Sequence, residues 1–222
     1  MYILSQTSYN QFMNLLIKVS LFFIFVSTAT FAQSFEGKLT YQNSFKSKMP
    51  NVTDELFTEM MGKSWEYSMK GASYHTACNG TLLQWQLYLP KENKLYSKFS
   101  NSPAILWNDG AVNADSVIKT ELNKNALEIL GNSCDELILT CKSGVQKYYF
   151  SSKYKVDPAL FQNHKFGNWY TYISQAKAMP LKIVIDNAQF TLESIATAVK
   201  KERVNEQLFT LPADAKLEKS PF

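Results

Sequence analysis

The chain has 222 residues, with 23 basic and 19 acidic side chains and a formal net charge of +4. That excess is too mild for a nucleic-acid surface, and no Lys/Arg cluster adds a basic stripe. Arg203 is the single arginine, so the residue best suited to bidentate phosphate contacts is nearly absent.

The apolar run from Val19 to Val26 follows Lys18 and precedes small residues. It is shorter than the roughly 20 residues that a helical bilayer span needs, and Thr30-Phe31-Ala32 fits the small-x-small cleavage rule. The pattern predicts a signal peptide over residues 1–32, with Met13 the more natural start. A single domain over 33–222 would follow, exported to the periplasm or secreted. A retained N-terminal anchor is the alternative. No cysteine follows the cleavage site, so no lipid-modified N-terminus is expected. No other segment is long and apolar enough to cross a membrane.

Phe35, Gly37, Leu39 and Tyr41 alternate and predict a first strand. Pro50 breaks it. Val52, Leu56 and Met60 then recur every four residues, with Asp54 and Glu55 in the first turn and Gly62 after the last. These are helix start and stop signals over 51–61. Such a helix either covers the open end of a core or serves as a lid over a ligand cavity.

The next stretch organises the rest. Trp65, Tyr67 and Met69 alternate, Asn79-Gly80 follows, and Leu83, Trp85, Leu87 and Leu89 alternate again before Pro90 and Leu95, Ser97 and Phe99. Asn-Gly suits a two-residue hairpin turn, because both central residues need positive φ. The reading is a three-stranded antiparallel meander whose shared face carries Trp65 and Trp85.

Residues 104–108 form another strand ending at Asp109-Gly110, and 117–122 leans to strand over helix. Residues 126–141 read as one long strand bent at Gly131, since a glycine inside a strand marks a bulge. Val145 to Ser151 returns after Ser143-Gly144. Asp157-Pro158 starts a helix. His164, Phe166, Trp169, Tyr170 and Tyr172 then make an aromatic patch on a loop or short helix packed on the sheet. Leu181–Ile185 and Phe190–Val199 are strands joined at Asp186-Asn187, and the last ten residues read as a polar tail.

No catalytic signature emerges. Gly62-Lys63-Ser64 lacks the nucleophile elbow, and no Gly-rich phosphate loop or dinucleotide fingerprint occurs. His75 and His164 are the only histidines and lie far apart. His75 and Cys78 could supply two metal ligands, but solvated turn residues are the simpler reading. The expectation is a non-enzymatic protein with no metal and no cofactor. Cys134 and Cys141 lie in one predicted strand, about 23 Å apart at roughly 3.3 Å per residue, too far for a disulfide.

What remains is the aromatic face, on which Trp65, Tyr67, Met69, Trp85, Leu87 and Phe99 stand. If another layer packs on the sheet, they are core. If the sheet curls with little cover, they line a cavity for an apolar ligand.

A string of motifs carries a resemblance. These are Phe35-x-Gly37-x-Leu39-x-Tyr41, Ile129-Leu130-Gly131-x-x-Cys134, Asp157-Pro158, Pro180-Leu181-Lys182-Ile183 and Leu208-Phe209-Thr210-Leu211-Pro212. Together they resemble the secreted domains related to the periplasmic lipoprotein carriers LolA and LolB, including the GLPGLI group. The resemblance implies a mainly β fold, a strongly curved antiparallel sheet forming an incomplete barrel with short helices over its mouth. In the carrier members it also implies a hydrophobic cavity for acyl chains. The leading expectation is a binding protein holding a lipid, acyl chain or other apolar ligand. The alternative is a non-enzymatic cell-envelope interaction module whose half-barrel is filled by its own core.

Overall fold

The computed structural model describes residues 34–221, so the predicted signal peptide lies outside the described residues. The strands are β1 (Gly37–Ser47), β2 (Ser64–Lys70), β3 (Ser73–Cys78), β4 (Leu83–Leu89), β5 (Lys94–Phe99) and β6 (Ile105–Asp109), followed by β7 (Val117–Ile129), β8 (Asn132–Cys141), β9 (Gly144–Lys155), β10 (Ala178–Asn187), β11 (Phe190–Lys201) and β12 (Leu217–Lys219). Two helices, α1 (Asp54–Met61) and α2 (Trp169–Ala176), join them, with short 3-10 turns at Pro158–Phe161, Phe166–Asn168 and Glu206–Phe209.

The strands form one sheet in the order β12-β6-β5-β4-β3-β2-β1-β11-β10-β9-β8-β7. Every pairing is antiparallel except β12 on β6, and the two edges do not meet, so the sheet is an incomplete barrel.

Side-chain contacts show how strongly the sheet bends. His164 stacks on Tyr88 of β4 with ring centroids 3.9 Å apart, and Tyr172 stacks on Tyr148 of β9 at 4.2 Å. On a flat sheet, strands six places apart lie roughly 29 Å from one another. Both nevertheless touch one short stretch of chain, so the sheet wraps around it. One hydrophobic cluster accordingly draws on Leu39, Met69, Tyr88, Leu137, Tyr148 and Leu181 from six strands, with Tyr172 and Ile173 of α2 at its centre.

Several local expectations need correction. The predicted meander of three strands has four, because β2 and β3 are joined by a tight turn at Gly71-Ala72, with Gly71 at φ +59°. Asn79-Gly80 is not the hairpin turn, and neither residue has positive φ. There the chain passes under the end of α1, where the Ser64 amide donates to Asn79 Oδ1 and the amides of Thr81 and Leu82 donate to the carbonyls of Glu59 and Met60.

The long strand bent at Gly131 is instead the hairpin β7–β8, turning at Leu130 (φ +51°) and Gly131 (φ +68°). Positive φ at both central residues matches the right-handed strand twist. Cys134 and Cys141 still share one strand, β8, and both are buried free thiols. The expected polar tail contains β12, whose Leu217–Lys219 pairs with Ile105–Trp107.

The helix is shorter than predicted and turned. Thr53 caps it by accepting from the Leu56 amide, and Asp54 and Glu55 occupy its first turn. Its inward residues are Phe57 and Met61, which meet Phe45, Phe190 and Leu192 of the sheet. Val52 packs at the edge of that cluster, whereas Leu56 is 45% exposed. The four-residue repeat is real, but the apolar stripe that packs runs one position later.

Candidate functional site

Between the curved sheet and the start of α2 lies a chamber of about 150 Å³. Its walls come from Tyr41 of β1, Trp65 and Tyr67 of β2, Tyr74 and Thr76 of β3, and Gln86 of β4. Met179, Pro180, Ile183, Ser194 and Trp169 complete it from β10, β11 and the start of α2. None of these side chains is acidic or basic. The volume matches an engineered apolar cavity that holds one benzene ring.

Period-two alternation places these residues together. Leu39 and Tyr41 face inward, Leu39 pairs with Tyr67 and Tyr41 with Trp65, so those partners face inward too. Tyr67 in turn pairs with Thr76, and Thr76 with Gln86. Pro180 sits at a β10 irregularity, where its missing N–H costs no ladder bond. Its carbonyl accepts from the Tyr41 hydroxyl at 2.7 Å.

The helix end is tied to the wall. Trp65 Nε1 donates to the Met61 carbonyl at 2.8 Å, so the last turn of α1 fixes the indole that borders the chamber. Behind the opposite wall, the Tyr74 hydroxyl lies 2.8 Å from His164 Nε2, and the imidazole stacks on Tyr88. Burial pushes His164 down to about 3, leaving it neutral at physiological pH. Burial likewise raises the phenols of Tyr67 and Tyr74 above their ordinary range, and Tyr88 to about 12. The chamber is electrically neutral.

Three lining residues carry a buried polar atom with no hydrogen-bond partner among the described residues: the Tyr67 hydroxyl, Trp169 Nε1 and Ser194 Oγ. Two further unanswered atoms, Asn43 Oδ1 and His164 Nδ1, belong to residues outside the wall. Buried polar atoms are usually paired, because an unmet one costs about 1–3 kcal/mol.

The predicted lining divides. Trp65 and Tyr67 border the chamber, and Met69 is fully buried in the main cluster beside it. Trp85 and Leu87 stand on the opposite face of the sheet, packed with Tyr96, Ile105, Trp107 and Phe209 under the C-terminal segment. Phe99 pairs with Leu83 at the end of β5 and does not border the chamber. Of the predicted lid residues, neither Val52, Leu56 nor Met60 borders it, and no residue of α1 does; the helix acts on the wall through the Met61 carbonyl, which holds the Trp65 indole. Sequence reasoning misses Ser194, Thr76 and Gln86, which are polar residues at inward positions. Strand parity identifies Thr76 and Gln86 only once the turn at Gly71-Ala72 is known, and Ser194 only once β11 is paired with β1 and β10.

His75 and His164 are separated by the sheet: His164 meets Tyr74 on the concave side, and His75 tilts against Trp85 on the convex side. Among the described residues no three of His, Cys, Asp and Glu converge on one point. A second cleft of about 520 Å³ lies by the β2–β3 and β4–β5 turns. It is lined by Lys70, Lys91, Glu92 and Glu206, and Lys70 pairs with Glu206 at 2.6 Å.

No known protein-family profile matches the chain, and no curated protein matches it. Solved structures show similarity at low identity. PNGF-II shares 15% identity with a TM-score of 0.44, over 84% of this chain and 32% of its own, so the chain spans about a third of that length. An uncharacterised conserved protein from Thermus thermophilus shares 10% identity with a TM-score of 0.38, over 83% of this chain and 91% of its own. A LolA superfamily protein from Nitrosomonas europaea shares 9% identity with a TM-score of 0.36, over 80% and 91% of the two chains.

Proposed function

We propose that this chain is an exported, non-enzymatic binding protein whose half-barrel holds an apolar ligand, such as the end of a lipid or acyl chain. The observation that carries the reading is the chamber between the sheet and the start of α2, with uncharged walls and the indoles of Trp65 and Trp169. Placing an apolar group there removes its surface from water, at roughly 25 cal/mol per Å² buried. At about 150 Å³ the chamber admits one ring or a short chain end, and not several whole acyl chains. The sequence resemblance to the lipoprotein carriers and the GLPGLI group supports the same reading, and the Val19–Val26 run supports export.

One observation favours the alternative of a self-filled interaction module. Leu39, Met69, Tyr88, Tyr172 and Leu181 are almost wholly buried, so most of the concave space is occupied by the protein's own side chains. Native mass spectrometry of protein recovered from the cell envelope or medium separates the two. The binding reading expects a chain beginning at Gln33 with a small apolar molecule attached. A bare mass after gentle isolation favours the filled module, and a mass that retains residues 19–26 rejects the signal peptide.

A further inference from the structure

Resting on the binding reading above, we propose that the chamber selects uncharged ligands bearing an acceptor oxygen, such as a ketone, ester or amide carbonyl on a compact apolar body. Purely apolar molecules and carboxylates would be disfavoured.

The inference starts from what the walls lack and what they leave unmet. Tyr67, Trp169 and Ser194 line one chamber from β2, α2 and β11, and each has a buried polar atom that no described protein group answers. An indole N–H can only donate, and both hydroxyls can donate. Ser194 is 1% exposed, and none of the three atoms opens onto free space in the empty chamber, so a ligand oxygen meets one of them when that wall side chain turns towards it. A purely hydrocarbon ligand would leave all three unmet, whereas a carbonyl oxygen can accept from at least one. The other lining phenols are already engaged: Tyr41 donates to Pro180, and Tyr74 pairs with His164.

Charge is excluded by the same wall. No lining residue is cationic, and burial holds His164 behind Tyr74 in its neutral form, so a carboxylate would enter without a counter-ion. Burying an unpaired charge is far costlier than burying a hydrogen-bonded neutral carbonyl. The site therefore separates ligands of one shape by their polar group.

Ligand-observed NMR titration of the mature protein with ethylbenzene, acetophenone and benzoate, at neutral pH, tests this. Acetophenone is expected to bind about tenfold more tightly than ethylbenzene, the usual worth of one buried hydrogen bond, and benzoate not at all. Ser194→Ala and Tyr67→Phe should each narrow the preference, whereas Tyr149→Phe, whose hydroxyl donates to Glu136 outside the chamber, should leave it intact. Equal or tighter binding of ethylbenzene overturns the polar selection and leaves the apolar chamber standing. Tightest binding by benzoate overturns the exclusion of charge. Binding of none of the three removes both this proposal and the binding reading on which it rests.

Discussion

At the scale of single residues, His164 shows how far burial overrides intrinsic chemistry. Its ring stacks on Tyr88, meets the Tyr74 hydroxyl and is 1% exposed, which holds the imidazole at about 3, well below its ordinary 6.5. The folded state thus stays neutral while the unfolded chain takes up a proton as pH falls through 6.5. Stability is fully retained above that value, declines as pH drops from 6.5 towards 3, and levels off below. Between pH 7 and pH 5 the loss due to this one group is about 2 kcal/mol. His75, also lowered by burial, adds a change of the same sign. Urea unfolding at the two pH values should therefore show a smaller difference for His164→Gln than for wild type. Equal pH dependence in both proteins would show that His164 is not neutral in the fold. Nothing in the sequence around His164 discloses this role beyond the aromatic neighbours, because Tyr74 and Tyr88 come from strands far away along the chain.

Individual elements show where reading the sequence succeeds and where it fails. The first strand, the presence of a helix after Pro50 and the strands on either side of Asp186-Asn187 are legible, because alternation and helix start and stop signals are local properties. The side on which a strand buries its stripe is not. Leu83, Trp85, Leu87 and Leu89 alternate cleanly, but β4 is covered on both faces: Tyr88 enters the main cluster, and Leu87 packs under Phe209 and Leu211. Once both faces are covered, parity is decided by the turns, and a single misplaced turn reverses every side chain. Two glycines make the turn chemistry testable. A Cβ on Gly131 meets nothing within 4 Å, so Gly131→Ala should cost only the strain of positive φ, about 1–2 kcal/mol. A Cβ on Gly80 would come within 2.4 Å of the Met60 carbonyl, so backbone must move. Chemical denaturation should find Gly80→Ala the more damaging of the two. Because the Met61 carbonyl holds Trp65, that variant should also weaken ligand binding in the chamber. A larger loss at Gly131 would mean that α1 does not sit over Gly80 as described.

For the whole molecule, the sheet does two jobs with its two faces. The convex side of β4–β6 is sealed by the C-terminal segment, which frees the concave side to wrap around α2 and leave a small chamber beside it. Overall architecture is legible from the succession of alternating runs, whereas the chamber is not, since its walls come from six strands and a helix whose juxtaposition depends on curvature. The central claim is that this chamber is a ligand site and not a packing defect. Ser194→Leu decides between them, because the larger side chain fills the space and removes an unanswered hydroxyl at the same time. Filling a cavity and deleting an unpaired polar atom both favour the folded state, so the variant should melt no lower than wild type. The most direct measurement is a binding isotherm of acetophenone, read by ligand-observed NMR, on the wild-type protein and on folded Ser194→Leu. The account predicts saturable one-site binding to wild type and its loss in the variant, and an absence of saturable binding to wild type, or an unchanged isotherm in the variant, would contradict it.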